Sequence, residues 1–142
     1  MTAKKADIAI QISDAYLNSE ELQNARKFAR EALNYDSEWG KPYIQIADIY
    51  AQAVSQCTSD RKLTPKDKAV YWLVLDYLDR AENTDSSTSS EVERKYKSYQ
   101  PVTPTKSEKF FWKPPLEEGD DFEINKDLMK CYGWINETTT VR

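Results

Sequence analysis

Histidine is absent from the sequence. That removes the Ser-His-Asp and Cys-His arrangements, a histidine general base and the zinc sets that contain imidazole. Glycine occupies only 3 of 142 positions, too few for a phosphate-cradling loop or for a sandwich or barrel with a turn every few residues. No apolar run approaches the roughly 18 residues of a membrane span, and Met1 to Ala6 is too short and polar for a signal peptide. A stripe of one charge is missing as well. The 20 Lys and Arg are scattered among 24 Asp and Glu, for a net charge of -4 and a pI near 5.0, which argues against nucleic acid as a partner. Catalysis would fall to carboxylates, Tyr, Lys or one of 2 Cys, and neither thiol has a histidine to activate it. The expectation is a soluble, non-enzymatic chain with no cofactor and no metal.

What is present points to helices. Hydrophobic residues make up 39% and charged residues 31%, a balance that suits an all-α domain. Within "WGKPYIQIADIY", Tyr43, Ile46, Ala47 and Tyr50 repeat the pattern of Ala9, Ile12, Ser13 and Tyr16 at a constant shift of 34 residues. A second pattern, Ala25, Ala29 and Ala32 in "ARKFAREALNYD", recurs as Val74, Leu78 and Ala81 at a shift of 49, which places about 15 extra residues between Tyr50 and Val74. The first helical pair resembles a tetratricopeptide repeat, in which a bulky, an apolar, a small and a Tyr residue follow at helical spacing and a second helix packs back through small residues. The resemblance implies a helical-hairpin array over residues 1–100, with a lengthened second repeat.

Local signals set the helix ends. Asn18 or Ser19 is expected to cap a helix running to about Tyr35, and Pro42 sits in the first turn of the next. That helix is expected to run from about Lys41 past Cys57 into a turn at "TSDRKL". Thr64, Pro65 and Asp67 form a capping-box pattern for a helix to about Asn83, and "TDSSTSS" breaks it. Ser90 to Tyr99 reads as a capping helix that buries Val92, Tyr96 and Tyr99 and turns Glu91, Glu93, Arg94, Lys95 and Lys97 to water. Pro101 and Pro104 end the helical part.

Residues 101–142 change character. Asp121–Ile124 and Trp134–Val141 read as two short strands, packed onto the helices by Phe110, Phe111, Trp112 and Trp134. "WGKPYIQIADIYAQAVSQC", "KAVYWLVLDYLDRA" and the ending "WINETTTVR" together resemble the C-terminal region of tetratricopeptide proteins of Bacteroidetes. This resemblance implies further repeats before residue 1 and a location in the bacterial cell envelope, periplasmic or associated with the outer membrane. It also suggests a disulfide between Cys57 and Cys131, against the alternative of two reduced thiols.

Function, on this reading, lies in a surface. The first helix of each repeat lines the inner face of such an array, which exposes Asp7, Ile10, Asp14, Leu17 and Asn18 from one repeat and Lys41, Ile44, Gln45, Asp48 and Gln52 from the next. Lys41 is the lone cation there, so the face does not suit a peptide carboxylate; apolar residues among acids fit an amphipathic or basic segment of another protein. The alternative is a carbohydrate-binding module that stacks sugars on Trp39 and Trp112, the two tryptophans least explained by core packing. The acidic run "EEGDD", Glu117 to Asp121, lacks the alternating ligands of a calcium loop and reads as a solvated turn.

Overall fold

A computed structural model describes residues 2–142. The protein is mostly helical, with a small two-stranded antiparallel sheet near its C-terminal end. Among the described residues there are six α-helices: α1 (Thr2–Asn18), α2 (Leu22–Tyr35), α3 (Lys41–Cys57), α4 (Pro65–Thr84), α5 (Ser89–Tyr99) and the short α6 (Lys106–Phe110). Strands β1 (Asp121–Ile124) and β2 (Glu137–Thr140) follow. No helix among them is long and apolar enough to cross a membrane.

The chain folds as consecutive helical pairs. α1 packs on α2, α3 on α4, α2 on α3, and α5 closes on α4. Small residues permit the close approach: Ala25, Ala29 and Ala32 of α2 are fully buried, and the Ser13 hydroxyl donates to the Ala25 carbonyl at 2.7 Å. The two sequence patterns meet at corresponding positions. Tyr16 of α1 stacks on Phe28 of α2 with ring centroids 5.6 Å apart, and Tyr50 of α3 meets Tyr77 of α4 edge-on at the same 5.6 Å. Phe28 and Tyr77 each stand three places after the matched residues Ala25 and Val74, so corresponding positions meet in both helical pairs, stacked in the first and edge-on in the second.

Helix ends follow local chemistry in part. Thr64 and Asp67 form the capping box foreseen for α4, with Pro65 opening the helix. The start of α2 differs from the expectation. Asn18 is the last residue of α1, Glu20 adopts φ 62, and Glu21 is the N-cap without a side-chain bond. α3 stops at Cys57, because the Thr58 hydroxyl turns back to the Val54 carbonyl at 2.8 Å. Gly40 ahead of α3 allows a close approach. Its N–H donates to Asp85 at 2.9 Å, and a Cβ there would lie 2.7 Å from Thr88 Cγ2 and 2.9 Å from Asp85 Cβ.

The two strands pair in antiparallel register, Asp121 opposite Thr140 and Ile124 opposite Glu137. β1 matches its expected span, whereas β2 is shorter than Trp134–Val141: Lys130–Tyr132 form a 3-10 turn, and Asn136, at φ 48, redirects the chain into the strand. Trp134 and Trp112 pack inward, Trp134 against Tyr50 and Trp112 edge-on to Phe122. Phe110 and Phe111 do not. They remain 67% and 74% exposed, because α6 turns its last residues away from the core that Trp112 joins.

Candidate functional site: an open face on the first helix

The structure divides the ten residues expected on the inner face. Ile10, Ile44 and Gln45 are buried, so their side chains are closed to a partner. Gln45 reaches across to α1, donating to the Ser13 hydroxyl at 3.1 Å and to Asp14 at 2.8 Å. Asp48 is taken by α5: Lys95 Nζ donates to both its oxygens at 2.8 and 2.9 Å, and the Tyr99 hydroxyl donates at 3.3 Å. Lys95 therefore does not face water as expected; by pairing with Asp48 it closes part of the face. Asp7, Asn18 and Lys41 stay exposed, while Asp14, Leu17 and Gln52 are half-buried.

The open apolar surface lies one strip further round α1. Ile12 is 37% exposed, although its counterpart 34 residues on, Ile46, is 1% exposed. The difference has a simple origin, since α3 has α2 packed against it and α1 has no preceding helix among the described residues. Ile8, one turn before Ile12, is 49% exposed. With Gln11, Ala15, Tyr16, Ser19 and Glu21 these two side chains line a shallow hollow of about 400 Å³. Asp7, which accepts from Gln11 at 2.8 Å, lies at its edge. An apolar strip with acidic margins suits the apolar side of an amphipathic, basic helix.

The ionisable clusters elsewhere hold the fold together. Glu137, at the start of β2, accepts from the hydroxyls of Tyr50 and Tyr77, the latter at 2.6 Å, and from Arg30 at 3.4 Å. Burial, joined by the hydrogen bond to Glu137, pushes Tyr77 up to about 12, and burial raises Tyr50 further still. Arg26 of α2 donates to the carbonyls of Trp134 at 2.7 Å and Ile135 at 2.8 Å, with its guanidinium 4.8 Å from the Trp134 ring centroid. Arg142 bridges Asp76 and Asp79 at 2.7 and 2.8 Å and donates to the Tyr96 hydroxyl, while Thr139 donates to Asp76 at 2.5 Å. The ending "WINETTTVR" is thus held by α2, α3, α4 and α5, with Asn136, Thr138 and Thr140 left exposed.

A second lock sits at the start of α4. Asp67 is fully buried and accepts from both guanidinium arms of Arg61 at 2.8 Å, from the Thr64 N–H at 2.8 Å and from the Tyr132 hydroxyl at 2.5 Å. Burial works against the Asp67 charge, yet the bonds from Arg61, Tyr132 and Thr64 outweigh it and hold the carboxyl well below the usual carboxylate range. Beside Tyr132, Cys131 and Cys57 stand at disulfide-bonding distance, with Cα atoms 6.1 Å apart. This is the pair that the family resemblance suggested. The Asp67 and Glu137 clusters escaped the sequence reading, and the regular in-out alternation from Ile135 to Val141 was the one signal that pointed to docking.

Trp39 and Trp112 do not share a platform. Both are half-buried, Trp39 against the main helical core and Trp112 in a separate cluster with Ala69, Trp72, Val141 and Phe122. Glu117–Asp120 form a turn: Gly119 takes φ 93, and its N–H donates to the Val141 carbonyl at 2.8 Å. In comparisons with known proteins, no family model, no curated protein and no solved structure matches the chain.

Proposed function

We propose that the chain is a non-enzymatic protein-interaction scaffold of tetratricopeptide type that works within a bacterial cell-envelope assembly. The observation that carries this reading is the apolar hollow on α1, where Ile8 and Ile12 stay 49% and 37% exposed beside Gln11, Tyr16 and Glu21. The open strip of Ile8, Ile12 and Tyr16 receives another protein segment, helical and apolar on one side, with basic residues toward Asp7 and Glu21. The corresponding contacts of Tyr16 with Phe28 and of Tyr50 with Tyr77 support the repeat architecture. The disulfide geometry of Cys57 and Cys131 fits an oxidising compartment. Of the residues read from sequence, Asp7, Asp14, Leu17, Asn18, Lys41 and Gln52 are not buried, and Asp7 borders the strip through its bond from Gln11.

Affinity capture from the native membrane fraction, with the wild type and the Ile8→Asp, Ile12→Asp double variant side by side, tests the reading. Proteins captured by the wild type and lost with the variant, at unchanged helicity, support it; identical capture by both contradicts it. The carbohydrate reading rests on Trp112, which lines an open hollow of about 690 Å³ with Phe111 and Met129. Glycan binding lost on Trp39→Ala with Trp112→Ala would favour that reading over the scaffold.

A further inference from the structure

We infer that the Phe110–Phe111 tip is a site for the surface of an anionic lipid bilayer. Phe110 and Phe111 are the two most exposed large hydrophobic residues of the described chain, and their rings meet edge-on with centroids 5.2 Å apart. Two adjacent bulky aromatics left in water are unfavourable unless something receives them. They are also firmly based. α6 carries a Thr105–Glu108 capping box, Glu108 pairs with Lys68 of α4 at 3.0 Å, Lys109 Nζ donates to the Arg142 carbonyl at 2.6 Å, and Trp112 packs on Phe122. The tip is therefore held out by design of the contacts beneath it, with little ordering left to do on binding.

Charge selects the occupant. Lys106 and Lys113 flank the two rings in sequence, and Lys66 lines the hollow beside Phe111; all three are exposed, and among the described residues none has a salt-bridge partner within 4.0 Å. Three uncommitted ammonium groups around an aromatic point, on a chain of net charge -4, match a plane of phosphates with hydrocarbon behind it. The aromatic rings enter the boundary between headgroups and acyl chains while the lysines stay at the phosphate level. Glu117 and Glu118 line the hollow on the Phe110 side and oppose deep entry, so the contact is shallow and reversible. This site is separate from the α1 face and needs no protein partner.

Co-sedimentation of the purified chain with vesicles tests the inference. One vesicle preparation is phosphatidylcholine alone, the other equal parts phosphatidylcholine and phosphatidylglycerol. The chain should pellet with the mixed vesicles, less so with the neutral ones, and high salt should release it. Phe110→Ser with Phe111→Ser should weaken binding to the mixed vesicles by about tenfold or more. Lys106→Glu with Lys113→Glu should reduce it to the level seen with phosphatidylcholine, and Glu117→Gln with Glu118→Gln should strengthen it. All these side chains are exposed or at the rim, so the variants keep the wild-type melting temperature. A wild type that stays in the supernatant, or a Phe110→Ser, Phe111→Ser variant that pellets equally well, overturns the inference and leaves a protein pocket as the receiver of the tip.

Discussion

The Tyr77 hydroxyl donates to Glu137 at 2.6 Å across 60 residues of sequence, tying the last strand to the fourth helix. Tyr50 donates to the same carboxylate from the third helix. Replacing Glu137 by Ala leaves two buried hydroxyls without an acceptor, at a cost of about 2–4 kcal/mol. Urea unfolding of Glu137→Ala should show that loss, and Glu137→Gln, which keeps one acceptor oxygen, should recover part of it.

Tyr77 carries a pH signature. Its hydroxyl is held up to about 12 in the folded chain from an ordinary 10.0, so the proton is bound more tightly in the folded than in the unfolded state. The associated stability is fully present below pH 10 and is lost as pH rises from 10 to about 12. Stability measured across that interval should fall steeply for the wild type and less steeply for Tyr77→Phe.

Asp67 works in the opposite direction. Its carboxyl lies below the unfolded value of about 3.9, so its contribution is present above that value and is lost as pH falls below it. At neutral pH, Asp67→Ala leaves the buried Tyr132 hydroxyl without its acceptor while the exposed Arg61 guanidinium turns to water, with an expected loss of about 1–3 kcal/mol. Acid titration monitored by circular dichroism should show the wild type and the variant converging as pH drops.

Cys57 and Cys131 close a loop with a sequence separation of 74. The loop-entropy account assigns such a closure about 4.5 kcal/mol. Thermal unfolding with and without reductant should reveal a large downward shift on reduction, and the oxidised chain should leave no thiol open to alkylation. Two freely labelled thiols under oxidising conditions would contradict the pairing.

The helices were legible because their signals are local. The helical spacing of Tyr43, Ile46, Ala47 and Tyr50, the small residues at Ser13, Ala25 and Ala29, and the Thr64–Asp67 box depend on neighbours a few places away. Burial on the inner face was not legible. Helical spacing places Ile10, Ile44 and Asp48 on one side, yet α3 and α5 cover that side through Gln45 and Lys95, and such coverage is set by how helices cross. Phe110, Phe111 and Trp112 show the same limit, since three consecutive aromatics carry no alternation that says which one turns inward. The Glu137 and Asp67 clusters join residues 60 or more apart, Tyr77 and Tyr132 among them, and one sequence holds no record of those pairings.

The central claim is that the uncovered side of α1 receives another protein. Site-specific photo-crosslinkers placed at Ile8 and Ile12, with a control at exposed Glu82 on α4, test it most directly in cells that express the native partners. The account predicts a discrete protein adduct from positions 8 and 12 and none from position 82. Adducts from Glu82 alone, or none from Ile8 and Ile12 under conditions in which the intact chain co-purifies with a partner, would contradict it.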